Sequence, residues 1–274
     1  IKKYPVPDNN KLLVATATDK EAQYTSVQIA FRQTNMLQDS TLADYRRDMI
    51  LELCSEMLNE RLNDLTKNPD APFTYAGGGY GNEVRTKQAM QLVAVANNGK
   101  ADEALASLLR EAFRAKRFGF LQSELDRAVK ATMSQVENDY NERNKTESRN
   151  LVGDYVYNFL EKNPAPGISF KYNFYKKYLD GITLTEINDA ATKYIQRDGK
   201  NTVIVITGSD KDASSIPDTN MVRKIFVDAQ NEKLSSYQDD VTTAAIGNAI
   251  TTNGKVVSTT TTDALGITTW TLSN

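Results

Sequence analysis

The chain has 274 residues, with 40% hydrophobic and 25% charged residues, a composition typical of a soluble globular protein. Its 33 basic and 35 acidic residues nearly balance, so no strong field would attract nucleic acid, and no apolar run approaches the roughly 20 residues of a membrane span. Histidine is absent and Cys54 is the single cysteine. These two facts exclude a Ser-His-Asp triad, a Cys-His pair, histidine-ligated zinc and an internal disulfide.

Apolar periodicity and capping residues predict the secondary structure. The expected elements, in chain order, are strands at 12–18 and 26–31, a helix over 42–65, strands at 73–80 and 83–96, a helix over 101–116, a mostly helical stretch over 123–160, helices over 170–179 and 184–195, a strand at 202–207 and a helix over 221–229. Asp39, Ser40 and Thr41 offer N-cap groups for the first helix. Gly81 and Asn82 predict the bend between the middle strands.

This element order predicts an α+β fold, a mainly antiparallel sheet with helices packed on one face. The apolar run TVIVIT at 202–207 is expected to be a central, buried strand. Residues 231–274 change to a composition rich in Thr, Ser, Asn and Gly, which predicts an interdomain linker that adds a hairpin. We therefore expect one domain over 1–230 and a linker over 231–274 that leads to a following domain. Both ends read as internal to a longer polypeptide.

Four stretches carry a resemblance to a known family. They are TATDKEAQYTSVQIAF, MLNERLNDLTKNPDAPFTYAGGG, LLREAFRAKRFGFLQSELDRAVKATM, and ITLTEINDAATKYIQ followed by TVIVITG. Together they span about residues 12–208, and their order and spacing resemble the insulinase/pitrilysin family of zinc metallopeptidases. The resemblance implies a metallohydrolase domain like those of mitochondrial processing peptidase, within a set of tandem homologous domains that enclose a peptide chamber.

Catalytic domains of that family carry H-x-x-E-H on a helix, where the two histidines and a downstream Glu hold zinc and the motif's Glu activates the bound water. The matching helix here, DYRRDMILELCSEMLNERL, has Glu52, Glu56 and Glu60 but no histidine. The resemblance therefore implies a non-catalytic domain with no catalytic residue and no metal ligand. Zinc is expected only in the catalytic domain of the parent protein.

A second family feature is an Arg and a Tyr, seven positions apart, that grip the substrate backbone. In the matching run from Arg61, these positions are Thr66 and Phe73. Thr lacks the guanidinium fork, and Phe lacks the hydroxyl. The resemblance thus implies no substrate-binding residue here, and it places the domain second in a long family member, after the catalytic domain.

Several local features have alternative interpretations. The glycine-rich run at 76–81 lacks the Lys-Ser/Thr of a phosphate loop, so we interpret it as a strand edge with close backbone packing. The stripe of Glu52, Glu56 and Glu60 could bind calcium, but a solvated helix face balanced by arginines is the simpler interpretation. Basic residues at 114–130 alternate with acidic ones, which favours a helix surface over a nucleic-acid site. The aromatic zone at 155–178 predicts core and interdomain packing or a chamber wall.

The expected function is that of a structural, substrate-chamber domain of a zinc metalloendopeptidase, a hydrolase that cuts peptides. Its partners would be the catalytic zinc-bearing domain of the same chain and the parent's peptide substrate, with no nucleic acid. Whether this chain belongs to an active enzyme stays open, as does its compartment. The alternatives are a scaffold or assembly subunit of the same family without proteolysis, and a hydrolase that uses paired carboxylates.

Overall fold

Five strands form the sheet of the main domain in the computed structural model, which describes residues 4–34, 41–161, 164–239, 254–262 and 265–273. The strands are β1 (Leu13–Asp19), β2 (Thr25–Arg32), β3 (Phe73–Val84), β4 (Lys87–Ala96) and β5 (Thr202–Ser209). Their order is β1-β5-β2-β4-β3; β1 and β5 are parallel, and every other neighbouring pair is antiparallel. The prediction of a mainly antiparallel sheet is confirmed.

The last of these strands, β5, lies between the first two. It pairs with β1 on one side and β2 on the other, so the residues before and after the turn at 20–24 do not form a hairpin. Ile204 and Ile206 are fully buried, whereas Val203 and Val205 on the opposite face are half-buried. This alternation buries one face of the sheet under the helices and leaves the other face more open.

In the described part of the main domain there are seven α-helices, and all except the fourth contribute apolar side chains to one core with the buried face of the sheet. They are α1 (Leu42–Thr66), α2 (Ala101–Phe118), α3 (Gln122–Asn141), α4 (Ser148–Glu161), α5 (Ile168–Tyr178), α6 (Leu184–Tyr194) and α7 (Thr219–Asn231). Thr41 and Thr183 form capping boxes with Asp44 and Glu186, as the sequence pattern predicts for the second. The other two proposed caps, Asp39 and Ser40, lie outside the described residues. No helix of the described part is long and apolar enough to cross a bilayer.

One boundary predicted from the sequence is wrong. The bend expected at Gly81 and Asn82 lies instead at Arg85 and Thr86, because β3 keeps its pairing with β4 as far as Val84. The mostly helical stretch expected over 123–160 consists of two helices, α3 and α4, separated by a short 3-10 turn at Arg143–Lys145. The break coincides with Asn, Thr and Ser residues, whose side chains compete with the helical backbone for hydrogen bonds.

The chain divides into two compact units, 1–239 and 240–274. Residues 232–239 belong to the first unit and pack against its helices. Arg110 of α2 pairs with Glu232 at 2.9 Å, and Arg127 of α3 pairs with Asp239 at 2.7 Å. In the second unit, β6 (Val256–Thr262) and β7 (Ile267–Leu272) form an antiparallel hairpin whose residues are all exposed. A hairpin within 231–274 was expected, but the division into domain and interdomain linker stays a prediction.

Candidate functional site

Helix α1 carries the residues that match the family's metal-binding helix. Its buried side, which includes Leu53, Met57 and Leu58, packs into the core. Glu52, Glu56 and Glu60 recur every four residues, so they share one side of the helix. They line a groove of about 540 Å³ between α1 and α3, together with residues such as Arg127 and Lys171.

Two of the three carboxylates brace α1 to neighbouring helices. Glu60 pairs with Arg127 of α3 at 2.9 Å. Glu52 accepts a hydrogen bond from the Tyr175 hydroxyl of α5, and burial, with the charge of Glu52, raises the pKa of Tyr175. Glu56 is exposed at the groove. The sequence analysis interpreted this stripe as a solvated face balanced by arginines; the contacts of Glu60 and Glu52 are with Arg127 of α3 and Tyr175 of α5.

The groove has no ligand set of the kind that the family's zinc requires. The sequence contains no histidine, and within the described ranges no cluster of three or more Cys, Asp or Glu side chains has the arrangement of a metal site. Lys171 Nζ also lies 4.0 Å from Glu52, so the groove places positive charge beside the carboxylates. The residues present do not fit a catalytic zinc, and we derive no chemical step from them.

Thr66 and Phe73 are the residues that we predicted at the positions of the family's substrate-gripping pair, and both have other contacts in the structure. Thr66 ends α1, and its hydroxyl donates to the Asn63 carbonyl of its own helix at 2.7 Å. Phe73 begins β3 and is only 1% exposed, with its ring in the core. A peptide backbone passing over this surface would not reach the Phe73 ring, and the Thr66 hydroxyl already donates its hydrogen to its own helix.

Arg61, which begins the same motif, forms a buried ion pair that the sequence alone did not reveal. Its guanidinium makes two hydrogen bonds to Glu124 of α3, at 2.6 and 2.7 Å, and a third to the Gly119 carbonyl at 3.0 Å. Both charged side chains are 1% exposed. The rings of Phe120 and Tyr237 lie over the guanidinium at 4.5 and 4.3 Å. Arg61 therefore joins α1, α3 and the segment after α7, and it is withdrawn from any substrate.

The glycine-rich run lies in β3, an edge strand of the sheet. A Cβ atom on Gly78 would lie 1.9 Å from the backbone oxygen of Gln91 in β4. The Asn59 side chain of α1 donates to the Gly78 carbonyl and accepts from the Gly78 N–H, at 3.0 and 2.8 Å. The interpretation as a strand edge with close backbone packing is confirmed.

The face of the sheet away from the helices is lined mainly by uncharged residues. We call it the outer sheet face. It is shaped by small or uncharged residues: Gln28 and Ala30 of β2, Gln91 and Val93 of β4, and Val203 and Val205 of β5. With the β3 glycines they border a shallow cavity of about 550 Å³. Its one lining carboxylate, Glu83, pairs with Arg32 at 2.6 Å. Such a surface can contact a polypeptide by van der Waals packing and amide hydrogen bonds without selecting a particular charge.

The aromatic zone divides into a packed part and an exposed part. Phe174 and Tyr175 of α5 are buried and contact Tyr45 of α1, with ring centroids 4.9 and 6.4 Å apart. Tyr155 and Phe159 of α4 are 66% and 75% exposed. The packing interpretation is therefore confirmed for the first pair, whereas α4 presents its rings to solvent.

Comparison with known proteins finds sequence relatives and solved structures with the same fold. No protein-family model matches the sequence. A zinc protease PQQL-like protein of Arabidopsis thaliana is 24% identical over 273 residues, which is 99% of this chain and 25% of that protein. The chain therefore spans about a quarter of the length of this curated relative.

Solved structures share the fold. The periplasmic protease PqqL from Escherichia coli aligns with 100% of this chain and 30% of its own, at 16% identity and a TM-score of 0.77. The structure of the first half of that protease aligns with 87% of this chain and 51% of its own chain, at 15% identity and a TM-score of 0.75. A peptidase M16 inactive domain from Pseudomonas fluorescens aligns with 76% of this chain and 46% of its own chain, at 15% identity and a TM-score of 0.55. Together, the sequence relative and the shared fold support an insulinase-family peptidase domain.

Proposed function

We propose that this chain is the non-catalytic second domain of a zinc metalloendopeptidase and forms part of its peptide chamber. The observation that carries the proposal is the set of side chains on α1, the helix that matches the family's metal-binding helix. It has no histidine, and Glu52 and Glu60 are held by Tyr175 and Arg127. The similarity to a zinc protease and to a solved M16 inactive domain supports this role.

The outer sheet face is the surface that we assign to the chamber wall. Its small side chains and amides offer contact to an extended polypeptide without a deep pocket or an unpaired charge to select one side chain. Phe73 and Arg61 are buried, and the Thr66 hydroxyl is bonded to its own helix, which supports a wall over a specific grip.

The first test uses residues 1–274 as a purified protein. We expect no stoichiometric zinc by elemental analysis and no cleavage of a quenched peptide library at neutral pH. One tightly held zinc per chain would refute the non-metal assignment. Cleavage that survives repurification and resists chelators would favour the alternative of paired carboxylates.

The second test concerns the chamber and uses the longer polypeptide. Val93→Arg and Val205→Arg each place a charge on the outer sheet face, and Val227→Arg makes the same change on α7, where Val227 is 49% exposed in the helix layer. We expect the first two variants to lower kcat/KM for long peptides and the third to leave it unchanged. Equal activity of all three would refute the wall. A longer polypeptide that cuts no peptide at all would favour the scaffold alternative.

A further inference from the structure

Helix α4 presents apolar side chains to solvent along its length. Residues four apart lie one above the other on a helix, so SRNLVGDYVYNFLE forms two adjacent apolar rows with polar residues opposite. We call these rows the α4 apolar face; its members are Leu151, Val152, Tyr155, Val156, Phe159 and Leu160. Their exposed fractions run from 42% to 75%. The opposite side carries Asn150, Asp154 and Asn158, together with Tyr157, which is 58% exposed.

Exposure of this face leaves α4 without the usual source of helix stability. Helices of about 14 residues are marginal in water, and most of their stability in proteins comes from packing an amphipathic face. From Ser148 to Leu160 every residue is exposed except Gly153, which is half-buried. Burial of these six side chains would contribute on the order of 1 kcal/mol or more each. The geometry therefore points to a surface that is covered in the assembled protein.

We propose that the α4 apolar face is the docking surface for another domain of the same polypeptide. In the solved first half of the Escherichia coli protease, the part that aligns with this chain takes up 51% of the polypeptide. A portion of domain size therefore accompanies the equivalent domain in that protein. Six apolar side chains suit an interdomain interface of roughly 600–1,500 Å². This inference rests on the proposed function only in taking the chain as part of a longer polypeptide.

The charges around α4 favour a protein partner over a lipid surface. Helices that bind membranes are rich in Lys and Arg on the polar side, whereas Asn150, Asp154 and Asn158 occupy that side here. The basic residues at the start of the helix are already neutralised, since Arg149 pairs with Glu147 at 2.6 Å and Lys145 with Glu142 at 2.8 Å.

Hydrogen exchange of the longer polypeptide tests the assignment. The double variant Val152→Asp/Val156→Asp places two charges in the α4 apolar face, and Asn150→Asp places one on the opposite side as the matched control. We expect α4 to be protected in the parent protein. The double variant should lower that protection about tenfold or more, because a carboxylate buried without a partner costs more free energy than a factor of ten represents. The control should stay within about twofold, as surface substitutions do.

Protection of α2 in the same spectra shows whether the core of each variant is intact. Rapid exchange of α4 in the unmodified parent, or protection unchanged by the double variant, would overturn the proposal. So would α4 protection that disappears on dilution, which indicates a second copy, or binding to phosphatidylcholine–phosphatidylserine vesicles. Peptidase activity of the same preparation separates the two proposals: an inactive parent with a protected α4 contradicts the proposed function and leaves this inference standing.

Discussion

Removal of the buried Arg61 charge should destabilise the main domain more than any surface change. In Arg61→Met the flexible apolar side chain fills part of the volume, but the Glu124 carboxylate stays in the core without its two hydrogen bonds from the guanidinium. Loss of one partner from a buried ion pair costs about 3–5 kcal/mol. Contacts with Phe120 and Tyr237 are lost as well.

A cost of that size is a large share of the roughly 5–15 kcal/mol that stabilises a typical domain. Glu124 also accepts a hydrogen bond from the Leu121 N–H at 2.7 Å, the cap of α3. Gln at 124 keeps an acceptor for that N–H and carries no charge. We therefore expect Arg61→Met/Glu124→Gln to be more stable than Arg61→Met alone, with a coupling energy of about 1–3 kcal/mol.

Urea unfolding followed by far-ultraviolet circular dichroism measures these differences. Fluorescence would not report on this site, since the only tryptophan, Trp270, lies in the β6–β7 hairpin. Lys67→Met is the control: its ion pair with Asp64 is exposed, so the unfolding midpoint should not move. A loss below about 1 kcal/mol for Arg61→Met, or strict additivity in the double variant, would refute a buried, coupled pair.

Three further predictions follow from other parts of the main domain. Hydrogen bonding to Arg46 lowers the pKa of Glu186 from 4.5 to about 2, so this pair stabilises the fold above pH 4.5 and the contribution disappears as pH falls towards 2. Arg46→Ala should thus lower the free energy of unfolding by up to about 1 kcal/mol at pH 7. As the pH is lowered, the unfolding free energies of the variant and the unchanged protein should converge. A difference that persists at low pH would exclude the Arg46–Glu186 pair as the cause. Gly78→Ala should destabilise the fold by about 1–3 kcal/mol, because its Cβ would meet the Gln91 carbonyl at 1.9 Å. Gly81→Ala, whose Cβ would meet nothing within 4 Å, is the control and should change the stability by no more than about 0.5 kcal/mol. Thermal unfolding measures both variants, and equal losses would argue against the close approach at Gly78. Burial raises the pKa of the Cys54 thiol to about 12, so iodoacetamide at pH 8 should label it only after urea unfolding, and rapid labelling of the folded chain would contradict its placement in the core.

The sequence predicted those elements whose signal is local. Thr183 and Glu186 form their capping box because both groups lie within one helical turn. The alternation in 26–31 and 202–207 reproduces β2 and β5 within two residues at each end. The local turn signal at Gly81 gave a wrong bend, because the pairing of β3 with β4 continues past it. The mostly helical stretch over 123–160 was predicted without the break at 142–147 that divides it into α3 and α4.

For the candidate site, too, some features follow from the sequence and others only from the tertiary structure. By itself the sequence determined that no histidine is present, and it predicted Thr66 and Phe73 at the positions of the family's gripping pair. Only the tertiary structure decided that Phe73 is in the core, that Arg61 is buried against Glu124, and that β5 lies between β1 and β2. The reason is physical: caps and strand alternation depend on a few neighbouring residues, whereas a buried ion pair or a strand order depends on which distant segments the whole fold brings together.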